Sequence, residues 1–238
     1  MEKNKGISLV IPAYNEGRNI RNAMLMNKQT LDSLNLDYEI LVIDDGSSDS
    51  TAKIAKQLCK DNPRLQLISN AHNLGFGGAI KKGISLADKD YVIAVPCDSP
   101  LEAEELARFL DKMKKCDIIV SYRRQRKGYS KYMLFNSFVY NKILIPLLFN
   151  LGLKDANWVQ MYRRSIFETG LINIEYEGIF MLVEVIYKAR QKDLIIGEVP
   201  ADMKRRIYGT PTSVKLKVIL QTFYDMMEFW LRIRLRKV

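Results

Sequence analysis

Acidic side chains follow three apolar stretches of the sequence, at the points where each stretch would end as a strand. Glu16 follows the first stretch, Asp44 and Asp45 follow the second, and Asp98 follows the third. The carboxyl ends of parallel strands meet at one crevice, where ligands bind. Neighbouring carboxylates repel one another, so such a group needs a bound cation or hydrogen-bond donors. An acidic residue at any one of these strand ends would be a turn or helix-cap residue, but the three strand ends together predict a ligand site.

Positive charge is concentrated in the second half of the chain. Lys and Arg number 37 against 27 Asp and Glu, which gives a formal net charge of +10. Residues 123–131 hold five cations and no anion, and residues 201–238 hold nine cations and three anions. The excess indicates an anionic partner or, more plainly, a solvated surface. No groove-reading motif accompanies the charge, so we expect no nucleic acid partner.

Apolar stretches alternate with helix-like stretches along the first half of the chain. Continuous apolar runs are typical of strands buried on both faces of a parallel sheet, and they occupy residues 7–13, 39–43, 91–95 and 117–121. Helices are predicted between them, at residues 17–34, 50–61, 76–87 and 102–114. Polar residues at 47–51 are typical of a helix start. This alternation predicts an α/β fold with right-handed βαβ units and a mostly parallel sheet.

Composition sets limits on the class of protein. The chain has 238 residues, of which 47% are apolar and 27% charged, as in an ordinary globular protein. Three scattered cysteines and one histidine argue against a disulfide framework or a zinc site, which indicates a cytosolic chain. Residues 132–153 are the best candidate for a membrane span. Lys142 and Pro146 interrupt that stretch, so we expect no transmembrane helix.

Four motifs in order carry a family resemblance. IPAYNE, VIDDGSSDST, NLGFGGAIKKGI and an Asp-bearing strand end make the chain resemble family 2 glycosyltransferases of the GT-A fold. The resemblance is greatest to the polyprenyl-phosphate glycosyltransferase branch, which includes dolichol-phosphate mannose synthase. It implies a GT-A domain over residues 1–213, with a nucleotide-sugar half at 1–121 and an acceptor half at 122–213. Residues 214–238 would form a C-terminal amphipathic basic helix.

The resemblance assigns a nucleotide pocket to the first three motifs. A tyrosine ring would cover the base, an acidic residue would accept from a ribose hydroxyl, and an Asp would accept from the base. Small residues would let the backbone approach the diphosphate at a helix N-terminus. The matching positions are Pro12, Ala13, Tyr14, Glu16, Asp44, Asp45, Asn73, Gly75, Gly77 and Ala79.

The third strand end departs from the family pattern. The family has Asp-x-Asp here, whereas this chain has Pro96-Cys97-Asp98, so only the second acidic residue remains. In the family that residue is a direct metal ligand. Phosphate oxygens and waters complete the octahedron of Mg²⁺, so one carboxylate can suffice. We therefore expect Asp98 to hold Mg²⁺ or Mn²⁺ and to be catalytic by activating the leaving group.

The resemblance assigns the remaining site residues to the acceptor half. Residues that would meet an acceptor phosphate are Arg123, Arg126, Lys131 and Ser137. Residues that would line the sugar pocket are Asp155, Asn157, Trp158 and Gln160. Arg206 would meet the diphosphate as a catalytic residue. Glu184, a carboxylate in an apolar helix at 178–189, is the other catalytic candidate, and a hydroxyl acceptor would need it or Asp155 as base.

Two amphipathic stretches are typical of a membrane surface. Residues 132–150 are rich in apolar and aromatic side chains. Residues 214–236 place Ile219, Phe223, Met226, Trp230 and Ile233 on one helical stripe ahead of basic residues. The alternative is a stripe packed on the protein core. We expect a cytoplasmic protein, peripheral on the inner face of the membrane.

These patterns together favour one function over two alternatives. The favoured function is inverting transfer of a hexose from a nucleotide diphosphate sugar, GDP-mannose or UDP-glucose in type, to polyprenyl or dolichyl phosphate. A glycosyltransferase with a hydroxyl acceptor is the first alternative. A nucleotide-sugar-binding protein with weakened catalysis is the second, and Pro96 is the feature that supports it.

Overall fold

The computed structural model describes residues 5–126, 128–202, 208–209 and 215–235. Seven strands form one sheet: β1 (Ile7–Ala13), β2 (Tyr38–Asp44), β3 (Leu65–Ser69), β4 (Tyr91–Ala94), β5 (Ile118–Tyr122), β6 (Gln160–Arg163) and β7 (Ile196–Pro200). Nine α-helices accompany them in the described chain: α1 (Ile20–Ser33), α2 (Thr51–Cys59), α3 (Gly75–Leu86), α4 (Ala103–Met113), α5 (Lys131–Phe138), α6 (Ile145–Phe149), α7 (Ser165–Glu168), α8 (Met181–Arg190) and α9 (Leu216–Leu235). A π-helical segment, Val139–Leu144, joins α5 to α6.

The sheet is mostly parallel, as the apolar runs predict. Its order is β3-β2-β1-β4-β6-β5-β7. β6 pairs antiparallel with both β4 and β5, and the other pairs are parallel. β1, β2, β4 and β5 therefore all end at the same edge, which brings together the loops that carry the predicted site. The expected α/β class with flanking helices is confirmed.

Helices cover both faces of the sheet, which is why its central strands are apolar without alternation. Along β1, Val10 faces one core cluster while Leu9 and Ile11 face the other, and all three are fully buried. α1 and α4 contribute to the second cluster, and α3, α8 and α9 contribute to the first. A strand buried on both sides gains hydrophobic stabilisation from every residue, so the apolar run is continuous.

The apolar stretch after β5 forms one continuous helix from Lys131 to Phe149, here called the apolar helix. Pro146 lacks the N–H that an α-helix would donate, and the π-helical segment lies just before it, where the N–H of Ile145 reaches back to the carbonyl of Tyr140. The helix ends at Asn150, whose φ of 48° is left-handed. The helix therefore continues through Pro146, where the sequence predicted an interruption.

The expectation of no membrane-spanning segment stays a prediction, because length and composition alone select one candidate helix. Within the described ranges, the apolar helix is the one helix that is long and apolar enough to cross a membrane. Few residues in its most apolar stretch are buried against the protein. It is thus an exposed apolar helix rather than a core element.

Candidate active site

The loops after β1 and β2 are joined by hydrogen bonds. Asn15, at a left-handed φ of 54°, receives a bond from the N–H of Ser48 through Oδ1 and donates its own N–H to Ser47 Oγ, both at 2.9 Å. Asp49 Oδ2 accepts the N–H of Gly17 at 2.9 Å. The predicted helix start at 47–51 is confirmed, because α2 begins at Thr51, whose N–H donates to Asp49 Oδ1 at 2.9 Å, although the N-cap Ser50 makes no side-chain bond. Most of the polar residues at 47–51 hold the loop after β1 in its conformation.

Tyr14 and Glu16 lie in this joined pair of loops. Tyr14 is 40% exposed, so its ring is available to a ligand. Glu16 accepts a hydrogen bond from Asn19 Nδ2 at 2.6 Å and its N–H donates to Thr51 Oγ1 at 2.8 Å. Pro12 and Ala13 are the last residues of β1. The structure brings these four candidates to one strand end.

Asp45 is occupied by the protein itself. Its carboxylate accepts the N–H groups of Leu74 and Gly75 and the side-chain amide of Asn70, each at 2.9 Å. The Asn73 amide donates to the carbonyl of Asp45 at 3.3 Å. Asp45 was expected to bind the nucleotide base. Because its oxygens already take three donors, its role in this structure is to hold the glycine-rich segment in place.

Asp44 lies beside it at the end of β2 and is also buried. Its Oδ1 accepts the N–H of Ser47 at 3.3 Å, which is a long bond for this pair of atoms. Of the two residues, Asp44 is therefore the one whose carboxylate could still accept a hydrogen bond from a nucleotide base.

The glycines of α3 approach the protein backbone. A Cβ on Gly77 would lie 2.5 Å from the carbonyl oxygen of Gly178. The N–H groups of Gly77 and Gly78 both donate to the carbonyl of Glu177, at 2.7 and 3.1 Å. Ala79 is buried in the core. The small size of Gly77 thus serves close packing against the protein backbone, and the predicted contact of Gly75, Gly77 and Ala79 with the donor stays a prediction.

The loop after β4 is held by the buried face of α1. Asn27 Oδ1 accepts the N–H of Leu101 at 3.3 Å, and Thr30 Oγ1 donates to the carbonyl of Leu101 at 2.9 Å. Asp98 is half-buried just ahead of this anchor. Sequence reasoning missed Asn27 and Thr30, although two polar residues three apart on a buried helix face are a usable signal.

The described residues could bind a divalent cation only together with a ligand that supplies further oxygen atoms. Among them, no group of three His, Cys, Asp or Glu side chains could hold a metal. Asp98 is the acidic residue at the β4 end, and Pro96 stands where a second one would. Mg²⁺ binds through one or two carboxylates plus substrate phosphates. One carboxylate therefore fits a cation whose other ligands come from a diphosphate and water.

A buried ion-pair cluster, formed by Arg123, Arg126 and Asp155, lies beyond the end of β5. Asp155 accepts from Arg123 Nε at 2.7 Å, from a terminal nitrogen of Arg123 at 2.9 Å and from Arg126 at 2.9 Å. The side chains of Arg123 and Asp155 are 5% and 1% exposed. Asp155 was expected to line the sugar pocket or act as a base, and Arg123 to meet a phosphate. In the structure both belong to a buried network, in which Arg123 also bonds Tyr129 and the carbonyl of Asn157. Their roles toward a substrate stay predictions.

Arg126 differs from its partner in this cluster. Its side chain is 23% exposed. Its Nε is buried and has no hydrogen-bond partner among the described residues. The cluster carries two positive charges and one negative charge, so Arg126 brings a net cation toward the surface.

Two of the predicted sugar-pocket residues, Asn157 and Trp158, contact the ion-pair cluster, and Gln160 does not. The Trp158 ring lies under the Arg123 guanidinium at 4.7 Å, and its Nε1 donates to the carbonyl of Ala201 at 2.8 Å. The carbonyl of Asn157 accepts from Arg123 at 3.0 Å. Gln160 is buried and bonded to Tyr162 and Leu182, so it is a core residue and its assignment to the sugar pocket is corrected.

The apolar helix is attached directly to the loop that carries Asp155. Asn141, the buried residue of the π-helical segment, accepts the N–H of Ala156 at 3.0 Å and donates to the carbonyl of Ser137 at 3.1 Å. Lys131 begins the helix and is exposed. Lys131 and Ser137 thus lie on an element fixed to the ion-pair cluster. Asn141 was also missed by sequence reasoning.

Glu184 is a structural residue of the interior. Its two carboxylate oxygens accept the N–H groups of Glu175 and Tyr176, at 2.9 and 3.1 Å, and Lys188 lies 2.6 Å away. It is fully buried. The expectation that Glu184 is catalytic is corrected, because the side chain is fully buried and these partners occupy both of its oxygens.

Arg206 lies outside the described residues. Asp202 and Tyr208, the nearest described residues before and after Arg206, lie in two different parts of the site. Asp202 pairs with Arg124 at 2.6 Å, near the β5 end, and the Arg18 guanidinium lies 4.1 Å from the Tyr208 ring centroid, near the β1 loop. Its predicted role at the diphosphate stays a prediction.

Apolar side chains are exposed on the apolar helix and on part of α9. On the first, the exposed residues are Tyr132, Leu134, Phe135, Phe138, Ile143 and Leu147. On α9 they are Leu216, Leu220, Phe223, Tyr224, Leu231 and Leu235. Met226, Trp230 and Ile233 of the predicted α9 stripe pack on the core instead. The core-packing alternative therefore holds for the second half of that stripe.

Comparison with known proteins agrees with this fold. The chain is 30% identical over 215 residues to a dolichyl-phosphate beta-glucosyltransferase of Dictyostelium discoideum, covering 81% of this chain and 64% of the relative. It is 26% identical over 228 residues to an undecaprenyl-phosphate 4-deoxy-4-formamido-L-arabinose transferase of Proteus mirabilis, covering 95% and 68%. The chain thus spans about two thirds of the length of these relatives.

Solved structures share the fold. Glucosyl-3-phosphoglycerate synthase from Mycobacterium tuberculosis, in complex with Mn²⁺, UDP and glucosyl-3-phosphoglycerate, matches with a TM-score of 0.68 and 17% identity over 93% of this chain and 80% of that one. Mannosyl-3-phosphoglycerate synthase from Rubrobacter xylanophilus matches with a TM-score of 0.66 and 17% identity, covering 98% and 74%. The family model described as Glycosyl transferase family 2 matches residues 8–171, which is more than half of the chain. The chain therefore belongs to glycosyl transferase family 2.

Proposed function

We propose that this chain transfers a hexose from a nucleoside diphosphate sugar to a polyprenyl phosphate at a membrane surface. Membership of the family supports glycosyl transfer. Relatives named for dolichyl phosphate and undecaprenyl phosphate support the class of acceptor. The observation that carries the proposal is the bond between Asn141 and Ala156, which attaches an exposed apolar helix to a buried arginine cluster. A lipid tail and a phosphate head need these two surfaces side by side.

The acceptor's own charge supplies the nucleophile. A phosphomonoester is already anionic near neutral pH. Its oxygen attacks the anomeric carbon as the bond from that carbon to the nucleoside diphosphate breaks, and the bonding electrons leave with the diphosphate. Attack from the opposite face inverts the configuration. An alcohol would need a protein base. Asp155 and Glu184, the two candidates for that base, are both engaged in buried bonds, which disfavours a hydroxyl acceptor.

Arg126 is the residue we assign to the acceptor phosphate. Its guanidinium is partly exposed, and Asp155 takes one terminal nitrogen while Nε stays without a partner in the described chain. Guanidinium groups bind phosphate oxygens in bidentate geometry. Lys131 and Ser137, on the attached helix, extend the site. Asn157 and Trp158 form its wall toward the sugar.

Donor binding is assigned to the loops after β1 and β2. The exposed Tyr14 ring covers the base, Glu16 accepts from a ribose hydroxyl, and Asp44 accepts from the base. Asp45 and Asn73 shape the segment behind them. Donors of the GDP-mannose and UDP-glucose types both remain candidates, because one pocket side chain decides between them.

Asp98 is the residue that would hold Mg²⁺ or Mn²⁺ together with the donor. A divalent cation there neutralises charge on the departing diphosphate. A structural neighbour in complex with Mn²⁺ and UDP supports this assignment. Arg206 would add a positive charge to the same oxygens.

Contact with a membrane surface follows from the exposed apolar side chains. They are accompanied by Lys131 and Lys142 on the apolar helix and by Arg232 and Arg234 on α9. Apolar faces with basic residues bind the surface of anionic bilayers. A peripheral position on the cytoplasmic face is the proposal, with the apolar helix lying along the interface.

A transfer assay tests the proposed function. GDP-mannose, UDP-glucose and UDP-GlcNAc are each offered with and without a short isoprenyl phosphate and Mg²⁺. We expect sugar transfer that requires the lipid phosphate, falls at least tenfold in Arg126→Ala and Asp98→Ala, and survives in Arg190→Ala, an exposed arginine at the end of α8. Donor binding with no transfer to any acceptor would overturn the proposal and favour a nucleotide-sugar-binding protein.

A further inference from the structure

A tyrosine hydroxyl on the apolar helix is buried without a hydrogen-bond partner. Tyr140 belongs to the π-helical segment, and its ring packs against the core. Among the described residues, nothing accepts from or donates to its hydroxyl. Leaving a buried polar group unpaired destabilises the folded state, because the group loses its hydrogen bonds to water. Such a group in a folded protein calls for a reason, and an incoming ligand is one.

The ion-pair cluster holds a second buried donor without a partner. Arg126 Nε is also buried and unpaired within the described chain. Arg126 binds Asp155 at 2.9 Å through a terminal nitrogen. The charge of Asp155 acts on Tyr140 as well. Both unpaired donors therefore belong to the surroundings of one carboxylate.

Asp155 itself does not serve as the acceptor for Tyr140. Its oxygens already take Arg123, Arg126 and the N–H of Asn157. Burial raises the pKa of the Tyr140 hydroxyl, and the negative charge of Asp155 raises it further. The hydroxyl thus keeps its proton at neutral pH and is a donor that lacks an acceptor.

The local backbone fixes this donor against the ion-pair cluster. The next residue, Asn141, is bonded to Ala156, which directly follows Asp155. In the π-helical segment the backbone N–H of Ile145 bonds the carbonyl five residues back, that of Tyr140, instead of four residues back. Such segments are frequent at functional sites. The backbone on either side of Tyr140 is therefore fixed relative to the Asp155 loop by a bond that does not depend on the Tyr140 hydroxyl.

We propose that the Tyr140 hydroxyl and Arg126 Nε are two donors of a seat for the acceptor's phosphate group, between the ion-pair cluster and the apolar helix. This rests on the proposed function and adds a residue to it. The net positive charge of the cluster favours an anion, and a phosphate oxygen is the acceptor that both donors lack. Tyr140 is then a residue that selects a phosphorylated lipid over the corresponding alcohol.

Binding of a short isoprenyl phosphate to the full chain, measured by calorimetry without donor, tests the seat. Tyr140→Phe removes only the hydroxyl. We expect it to weaken binding of the isoprenyl phosphate about tenfold, the effect of one hydrogen bond to a charged group. Binding of the matching isoprenyl alcohol should change less than twofold, and the melting temperature should not fall. Tyr91→Phe, at the start of β4 on the opposite edge of the sheet, is the matched control.

The outcomes separate the seat from the proposed function. Equal binding of the isoprenyl phosphate by wild type and Tyr140→Phe would overturn the seat while leaving the proposed function intact. An equal loss for the phosphate and the alcohol would also overturn it, because the hydroxyl would then serve only packing. Failure of the wild type to bind the phosphate, with nucleotide binding retained, would overturn the proposed function and the seat together.

Discussion

Asn141 accepts the backbone N–H of Ala156 at 3.0 Å, and this bond attaches the apolar helix to the loop that carries Asp155. The helix presents a row of exposed apolar side chains, while the loop holds two arginines on one carboxylate. An apolar surface and a cationic cluster are thus fixed to each other by a backbone contact. This arrangement suits a substrate with an apolar tail and an anionic head.

Asp155→Ala should destabilise the fold strongly. It leaves Arg123 buried without its counter-charge, and breaking a buried pair costs about 3–5 kcal/mol. Asp111→Ala is the control, since Asp111 and Lys114 form an ion pair with side chains 76% and 73% exposed and such pairs contribute about 0–1 kcal/mol. Urea unfolding measures both. A similar small loss in the two variants would contradict the buried network.

Asp45→Asn should loosen the glycine-rich segment and weaken donor binding. Asn keeps one acceptor oxygen, whereas Asp45 serves Asn70, Leu74 and Gly75. We expect a loss of about 1–3 kcal/mol in unfolding free energy and weaker binding of UDP or GDP by calorimetry. Asp61→Asn, an exposed residue after α2, should change neither quantity. If Asp45→Asn kept full stability and lost only nucleotide binding, the result would contradict this role and support a direct contact of Asp45 with the base.

Gly77→Ala should be poorly tolerated. The added Cβ would lie 2.5 Å from the carbonyl oxygen of Gly178, a distance that forces the backbone to move. We expect a loss of about 1–3 kcal/mol, typical of overpacking, together with reduced donor binding. Ser85→Ala, exposed on the same helix, should be close to neutral. A Gly77→Ala chain as stable as wild type would show that the close approach to the Gly178 backbone is not required.

Stability at acid pH should depend on Asp49. Burial opposes its charge, but hydrogen bonds from Thr51 and Gly17 outweigh burial and lower the pKa of Asp49 below its ordinary value. Its contribution is complete above about pH 4 and is lost as the pH falls through the lowered pKa. Asp49→Asn should therefore melt earlier than wild type at pH 7, with the difference shrinking below about pH 4. A difference that stays constant down to acid pH would contradict this.

Replacing exposed apolar residues of the apolar helix should release the chain from membranes without unfolding it. Phe135 and Leu147 are 65% and 73% exposed, so Phe135→Ser and Leu147→Ser together remove little buried surface. Sedimentation with vesicles containing anionic lipid should fall severalfold, since membrane binding scales with buried apolar area. Leu171→Ser, at 40% exposure elsewhere on the surface, is the control. Undiminished sedimentation of the double variant would contradict the assignment of this face.

Much of the fold could be predicted from the sequence because buried parallel strands leave continuous apolar runs. β1, β2, β4 and β5 all lie within a residue or two of their predicted bounds. β3 is not predicted because it is an edge strand in which only Leu65 is buried. The antiparallel β6 was not distinguished from a loop, since four residues give no usable period.

The candidate site could be located from the sequence, but not the role of each residue. A strand end predicted the place of Asp45 and the family resemblance that of Asp155, yet partners distant in sequence decide whether their oxygens are free. Leu74 and Gly75 occupy the first, and Arg123 and Arg126 occupy the second. Glu184 is a similar case, because the backbone of Glu175 and Tyr176 reaches it only after folding.

Acceptor preference in the transfer reaction tests the central claim most directly. A short isoprenyl phosphate and the matching isoprenyl alcohol are compared at equal concentration with the best donor, and the anomeric configuration of the product is read by NMR. The account predicts transfer to the phosphate, inversion at the anomeric carbon and no measurable product from the alcohol. Transfer to the alcohol at a comparable rate, or a product that retains the donor's configuration, would contradict it.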